Sequence, residues 1–159
     1  MIFITLGTQP CDFSRCLKMV EELISVYEIK EDIIAQVGHT KYTPNNIKCF
    51  DFVEELEYQK YISSANIIIS HAGTGALFSA IRQDKKIIAV ARLHSYGEMV
   101  DNHQVEIVKK LSDEGYIIDG TTSIIEAWDK IKEFEPREIR FQNNLPEIIE
   151  NQIFKWLNE

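Results

Sequence analysis

The sequence predicts an α/β domain built on a Rossmann-like, doubly wound and mainly parallel sheet of about six strands. Short apolar runs alternate with longer amphipathic runs along the chain, and the connections between them are short. The run NIIIS at residues 66–70 is apolar through its centre, which is typical of a strand covered on both faces. The 159 residues suit a single domain with a substantial core.

The period of the apolar residues and the residues at the ends define each element. Asp12 or Ser14 is expected to cap the first helix and Thr121 or Thr122 the fifth, while Gly115 marks the end of the fourth. The predicted strands cover residues 1–7, 32–38, 46–53, 66–70, 86–91 and 116–119. The predicted helices cover residues 13–27, 54–65, 74–83, 99–115 and 122–134, with an amphipathic C-terminal helix at 145–159.

The composition restricts the function classes. The net charge of −8 at pH 7 argues against a nucleic-acid-binding protein or a domain held broadly to anionic lipid. No apolar stretch approaches the roughly 18–20 residues that cross a bilayer, and the start MIFITLGTQ has no basic leader. Cys11, Cys16 and Cys49 lack metal-type spacing, so we expect reduced thiols in a cytosolic protein.

Ligands of parallel α/β sheets bind at the carboxyl ends of the strands, and the first strand ends in LGTQP. Gly7 allows backbone amides to approach an anion closely, and Thr8 adds a hydroxyl donor. A glycine that merely ends the strand is an equally good explanation of this motif alone.

The fourth predicted strand is followed by SHAGTG. A strand, a glycine turn and a helix N-terminus together form a geometry that binds phosphate. Gly73 and Gly75 can take positive φ and admit a ligand against the backbone. Thr74 is expected to cap the helix and donate its hydroxyl, and His71 to donate a hydrogen bond to the phosphates. The alternative is a tight turn between strand and helix with a solvated histidine.

The fifth strand is followed by the polar stretch ARLHSYGEMVDNHQ at residues 91–104. Capping of the next helix explains Asp101, but it does not explain so many short hydrogen-bonding side chains, which suit sugar hydroxyls. Arg92 balances the charge of a diphosphate or of a carboxylate on the ligand, or it is a solvated side chain. The stretch supplies the polar residues Arg92, His94, Tyr96, Glu98, Asp101, Asn102, His103 and Gln104.

Several motifs are absent from the sequence. It has no Asp-x-Asp triplet and no His/Cys ligand cluster, so a metal-bridged diphosphate is not indicated. It has no G-x-S-x-G nucleophile elbow, so a hydrolase function is not indicated. It also lacks G-x-G-x-x-G and a Tyr-x-x-x-Lys pair, which argues against a nucleotide-sugar epimerase.

The motif SHAGTG followed by VDNHQ resembles the nucleotide-sugar-binding C-terminal half of glycosyltransferase family 28. The similarity runs from Met1 to about Asp119, and the two motifs in this order make it specific. Within that family the chain resembles the stand-alone subunits of two-component enzymes, both the dolichol-linked N-acetylglucosaminyltransferase and bacterial capsule and exopolysaccharide transferases. The stretch RLHSYGEMVDNHQ favours the bacterial branch.

The resemblance implies roles for particular residues. Gly7 and Thr8 fall in one phosphate loop and the residues of SHAGTG in the other. The resemblance implies that Asp101, Asn102, His103 and Gln104 hold the donor sugar. It places the uracil against the backbone around residues 50–52, although Phe50 is equally explained as core. His94, Glu98 and His103 are candidates for the catalytic base, with none preferred. Ser79 stands where the family usually has a ribose-binding glutamate, so ribose recognition is weaker or comes from another residue.

The resemblance also implies a reaction and a partner subunit. Residues 1–140 are expected to be one half of a GT-B enzyme that transfers a hexose from a UDP-sugar to a lipid-diphosphate-linked saccharide, without metal or cofactor. The acceptor half is expected on a membrane-anchored partner subunit that recruits this cytoplasmic chain to the inner face of the plasma membrane. Residues 141–159 are a candidate docking helix, or they pack on their own domain. The alternative function is a non-catalytic accessory subunit that binds the nucleotide sugar. The identity of the sugar stays open between galactose, glucose, glucuronic acid and N-acetylglucosamine.

Overall fold

We describe residues 1–138 of a computed structural model of the chain. The boundary predicted at residue 140 and the helix predicted at 145–159 lie outside the described residues. The strands are β1 (Ile2–Thr5), β2 (Ile33–Gln36), β3 (Lys48–Phe50), β4 (Ile67–Ser70), β5 (Lys86–Ala89) and β6 (Ile118–Asp119). The helices are α1 (Ser14–Tyr27), α2 (Glu55–Ser64), α3 (Thr74–Ile81), α4 (His103–Asp113) and α5 (Ile124–Ile131).

The described strands form one sheet in the order β3-β2-β1-β4-β5-β6, and every pair of neighbours is parallel. The predicted fold class is therefore confirmed. The strand order reverses between β1 and β4, which makes this the switch point where such sheets bind ligands. Thr5 lies opposite both Gln36 and Ser70, and Ser70 lies opposite Ala89. The carboxyl ends of the four central strands therefore lie side by side.

Two apolar layers cover the sheet because successive strand residues point to opposite faces. Ile2 and Ile4 of β1 pack in the layer that contains α1 and α5, whereas Phe3 packs in the layer that contains α2, α3 and α4. Ile68 and Ile69 divide between the layers in the same way. This double coverage explains why the central strands read as uninterrupted apolar runs in the sequence.

The predicted caps of α1 and α5 are wrong. Phe13 occupies the N-cap position of α1 without a side-chain hydrogen bond, and its buried ring anchors the start of this helix in the core. Ser123 caps α5, where its Oγ accepts a hydrogen bond from the Glu126 amide at 3.2 Å. Thr121, one of the predicted caps, has another role, because its Oγ1 accepts from the amide of Ala91 at 3.0 Å.

The fourth helix begins four residues later than predicted. Residues His94–Tyr96 form a 3-10 turn, which ends at Gly97 with a φ of +68°. The chain between Gly97 and Asn102 is irregular, and α4 starts at His103. The C-terminal end agrees with the prediction, since α4 ends at Asp113 and Gly115 follows with a φ of +79°.

Each of the three cysteines is a free thiol, and burial raises the pKa of Cys16 to about 12, so this thiol is protonated at neutral pH. Among residues 1–138, no helix has the length and apolar content needed to cross a bilayer.

Candidate functional site

A cavity of about 450 Å³ opens at the carboxyl ends of β1, β2 and β4, on the side of α2 and α3. Its volume is in the range of small-ligand sites, and it lies at the switch point between β1 and β4. The cavity brings together the two glycine turns that the sequence singled out. Its lining consists of Thr5, Gly7, Thr8, Gln36, Phe52, Val53, Glu55, Tyr58, Gln59, His71, Gly73, Gly75, Ala76 and Ser79.

The two turns meet at the ring of His71. The backbone amide of His71 donates to the Thr5 carbonyl at 3.0 Å, and the ring Nδ1 lies 3.1 Å from the same oxygen. A Cβ added to Gly7 would lie 2.4 Å from Nε2 of this ring, and one added to Gly73 would lie 2.2 Å from it. Both positions therefore need glycine because the imidazole fills the space between the two turns.

Only one of the two turns uses the positive φ expected of glycine. Gly7 has a φ of +76°, but the left-handed residue of SHAGTG is Ala72, with a φ of +66°. Gly73 has a φ of −67°, and neither it nor Gly75 is among the positive-φ glycines, so neither uses the backbone freedom that glycine allows. Gly73 is required by its contact with His71 rather than by its backbone angles.

The neutral form of His71 is fixed by its surroundings. Burial lowers its pKa to about 4, the hydrogen bond to Thr5 opposes this shift, and the nearby charge of Arg92 adds to the lowering. The Thr5 carbonyl only accepts, so Nδ1 carries the proton and Nε2 presents a lone pair. His71 can donate to a phosphate through Nε2, as the sequence predicts, only after the ring takes up a second proton.

The N-terminus of α3 supplies hydrogen-bond donors at the cavity. Gly73 is its N-cap residue, and the first amide bonded within the helix is that of Leu77, which donates to the Gly73 carbonyl at 3.0 Å. The amides of the first turn are thus free of intrahelical partners, and Gly75 and Ala76 line the cavity. Thr74 is the first helical residue and is exposed, so its predicted capping role is wrong.

Arg92 is neither a solvated side chain nor part of the cavity wall. Its side chain is 1% exposed, and its Nη2 donates to the Leu6 carbonyl at 2.7 Å, beneath the loop that contains Gly7. The guanidinium carbon lies 5.1 Å from the centre of the Phe13 ring, and Nε and Nη1 have no hydrogen-bond partner within the described part of the chain. Arg92 places a buried positive charge behind the loop that follows β1.

Other predicted site residues stabilise the 92–104 loop itself. The side-chain oxygen of Asn102 accepts from the amide of His94 at 3.2 Å, and that of Asp101 accepts from the amide of His103 at 3.0 Å. Gln104 is buried and accepts from the amide of Arg92 at 3.0 Å. None of these residues lines the cavity, so their role in sugar binding stays a prediction.

Glu98 is held in an ion pair. Its two carboxylate oxygens accept from Nε and Nη2 of Arg15, both at 2.9 Å, and one of them also accepts from the amide of Leu93 at 2.9 Å. The side chain is only 5% exposed. A carboxylate that accepts from three donors and has little solvent access is poorly placed to deprotonate a hydroxyl. The other two base candidates, His94 and His103, are exposed.

Sequence reasoning found the rest of the cavity wall only in part. The resemblance assigns residues 50–52 to the uracil, and Phe52, 47% exposed, lines the cavity beside Val53. Phe50 instead stacks on Tyr61 with ring centres 5.2 Å apart and belongs to the core. Glu55 and Gln59, both on α2, line the same cavity and were not predicted. The run EELEYQKY that carries them reads as a solvated helix face, so no signal in the sequence separated them from other surface residues.

A second cavity of about 460 Å³ lies on the α1 and α5 side of the sheet, where residues of α1 meet the loop that precedes α5. Arg15, Tyr96 and Thr121 are in its wall, and none of the glycines of the two turns is. Within residues 1–138 no group of three or more His, Cys, Asp or Glu side chains is arranged to hold a metal ion.

The sequence model described as "Glycosyltransferase family 28 C-terminal domain" matches residues 1–152 of the chain. The chain belongs to this family. Among curated proteins it is 27% identical over 116 residues to the UDP-N-acetylglucosamine transferase subunit ALG13 of Candida albicans, an alignment that covers 73% of this chain and 38% of that protein. It is 25% identical over 133 residues to the human subunit of the same name, over 78% of this chain and 11% of that protein.

Solved structures of two glycosyltransferase proteins share the fold. The solution structure of ALG13 superposes with a TM-score of 0.59 at 19% identity, over 92% of this chain and 93% of that one. The calicheamicin glycosyltransferase CalG4 superposes with a TM-score of 0.56 at 16% identity, over 82% of this chain and 33% of that one. The family 28 domain described here thus has the Rossmann-like fold found in GT-B glycosyltransferases.

Proposed function

We propose that this family 28 domain is the donor-binding subunit of a glycosyltransferase that uses a UDP-sugar. The observation that carries the proposal is the meeting of the Gly7 and Gly73 turns at His71, beside the N-terminus of α3 and at the switch point of the sheet. Free amides at a helix N-terminus and close backbone approach are what a diphosphate requires. The uracil then lies towards Phe52 and Val53, which line the same cavity.

Sugar transfer leaves the diphosphate of UDP with an added negative charge. In this proposal the amides of the first turn of α3 and of the Gly7 loop stabilise that charge. The buried guanidinium of Arg92, bonded to the Leu6 carbonyl, adds positive potential from behind the loop. These groups do the work that a divalent cation does in other transferases, so we propose that transfer is independent of metal.

We propose that a second subunit supplies the acceptor site. The chain spans 38% of the Candida albicans relative and about a third of the CalG4 chain, so it corresponds to one part of larger enzymes. The proposed partner is membrane-anchored, binds a polyprenyl-diphosphate-linked saccharide and recruits this chain to the cytoplasmic face of the membrane. Because Glu98 is tied to Arg15, the general base is His94 or His103 of this chain, or a side chain of the partner.

The name of the ALG13 relatives makes UDP-N-acetylglucosamine the first donor to test. A hexose of capsular or exopolysaccharide synthesis is the finer form of the proposal, and it rests on the stretch RLHSYGEMVDNHQ alone. A non-catalytic subunit that only binds the nucleotide sugar is the second candidate. It is favoured by Ser79, which lines the cavity without a carboxylate of its own.

The test is turnover of a panel of UDP-sugars by the chain alone, by the co-expressed partner alone and by the two together. With a metal chelator in the buffer, we expect release of UDP only when the chain and its partner are both present. A double substitution of His94 and His103 to Gln tests the bases of this chain. UDP binding by the chain without turnover in any combination supports the non-catalytic candidate, and absence of UDP binding at millimolar concentration contradicts both.

A further inference from the structure

The cavity wall contains two chemically different kinds of group. Gly7, Gly73 and the first turn of α3 present backbone donors. Glu55, whose carboxylate is an acceptor when ionised, lines the same cavity with Gln59 on α2. A ligand that fills the cavity therefore needs both an anionic group and hydrogen-bond donors.

Glu55 belongs to a hydrogen-bonded network that joins two helices. The Gln59 amide nitrogen donates to the Glu55 carboxylate at 2.7 Å, one turn earlier on α2. The same Gln59 nitrogen lies 2.8 Å from the hydroxyl oxygen of Ser79 on α3, and the side-chain oxygen of Gln59 accepts from the Gln83 amide at 3.1 Å. Because Gln59 is held from both helices, it fixes the carboxylate at the rim of the cavity.

The Glu55 carboxylate keeps capacity for further donors. Within residues 1–138, Gln59 is the one hydrogen-bond donor to this carboxylate, and no cationic side chain of that range forms an ion pair with it. An ionised carboxylate has about four acceptor sites and no donor, so a vicinal pair of hydroxyls is a matching partner. Acidic side chains bind ribose hydroxyls in this way in other dinucleotide-binding Rossmann folds.

We propose that Glu55, positioned by Gln59 and Ser79, accepts hydrogen bonds from the ribose hydroxyls of the bound nucleotide. The inference rests on the proposed function and assigns the nucleoside end of that site. It also explains how a domain with Ser79 on α3 recognises a ribonucleotide, since the carboxylate comes from α2 instead. Glu55 acts as a specificity determinant for ribose and takes no part in the transfer step.

A carboxylate in the first turn of a helix is also favoured by the helix dipole, and this gives a matched control. Glu57 lies in the same first turn of α2 and is exposed, but it does not line the cavity. Glu55→Gln and Glu57→Gln thus remove the same charge from the same helix end. They differ in whether the lost carboxylate faces the ligand.

The experiment compares UDP with 2′,3′-dideoxyuridine diphosphate, which lacks both ribose hydroxyls, by calorimetric titration of the full chain in chelator. We expect the native chain to bind UDP at least about tenfold more tightly than the dideoxy analogue, because hydrogen bonds to a charged group are strong. In Glu55→Gln the UDP affinity falls about tenfold, the analogue is unaffected, and the preference disappears. Glu57→Gln keeps the native preference.

A Glu55→Gln variant that binds UDP with the native preference overturns the inference and leaves the proposed function standing. Equal affinity of the native chain for both nucleotides also overturns the inference and leaves the proposed function standing. If the native chain binds neither nucleotide, the proposed function fails as well. A circular dichroism spectrum confirms that each variant is folded, and Glu55 is exposed enough for glutamine to replace it without loss of packing.

Discussion

His71 is the single side chain around which the cavity is organised. Its ring is pinned by the Thr5 carbonyl, and it excludes a Cβ from two positions that are 66 residues apart in the chain, Gly7 and Gly73. The sequence predicted both glycines and the histidine as site residues. It did not predict why the glycines are needed, because the contact depends on the β1–β4 pairing.

The glycines of SHAGTG allow a direct test of this packing. Gly73→Ala forces the buried imidazole to move, so we expect the free energy of unfolding to fall by about 1–3 kcal/mol. Gly75→Ala is the matched control, because its added Cβ meets nothing within 4 Å. Alanine there leaves the free energy of unfolding unchanged or raises it by up to about 1 kcal/mol. Equal losses in urea titrations of the two variants contradict the role of the His71 contact.

The lowered pKa of His71 makes stability depend on pH. The unfolded chain binds the proton near pH 6.5, whereas the folded chain binds it only near pH 4. The stability from neutral His71 is complete above about pH 6.5 and is lost as the pH falls towards 4, by about 3 kcal/mol in total. His71→Asn removes this dependence.

Urea titrations of the native chain and of His71→Asn between pH 8 and pH 4 measure the effect, because the other titrating groups cancel in the difference. We expect that difference to stay constant above about pH 7 and to shift by up to about 3 kcal/mol in favour of the variant at pH 4. Parallel curves over the whole range contradict the buried, neutral imidazole.

At the scale of elements, the segment between β5 and α4 is where the sequence was least informative. Acid and amide side chains that bind a ligand have the same sequence signature as those that hold a loop. Here Asp101, Asn102 and Gln104 accept from backbone amides of residues 92–103. Arg15 on α1 completes the arrangement, with bonds to Glu98, to the Ala91 carbonyl at 2.7 Å and to the Thr121 carbonyl at 3.2 Å.

The bonds of Arg15 to Glu98, Ala91 and Thr121 predict a structural role for Glu98. Glu98→Gln removes the charge opposite Arg15 in a partly buried site, so we expect thermal or urea unfolding to show a loss of about 1–3 kcal/mol. Glu106→Gln, at an exposed position of α4 near His103, is expected to change stability by less than about 0.5 kcal/mol. A Glu98→Gln variant as stable as the native chain shows that the pair contributes little.

At the scale of the whole molecule, the sheet was predictable and the cavity only in part. Apolar runs and helical periods predicted the six strands because both faces of the sheet are buried, and the family 28 match agrees with that fold. The two glycine turns were predictable from the switch-point rule. Glu55 and Gln59 were not, because a polar helix face that borders a cavity looks like any solvated face until α2 and α3 are packed together.

The central claim is that the cavity between the two glycine turns binds the diphosphate of UDP without metal. The most direct measurement is the shift of backbone amide NMR signals during titration with UDP in the presence of a chelator. We expect saturable shifts at Gly7, Gly73 and Gly75, no shift at Thr121 or Thr122 in the second cavity, and no increase in UDP affinity when magnesium replaces the chelator. Shifts centred on the second cavity, shifts that require magnesium, or no shift at millimolar UDP would contradict it.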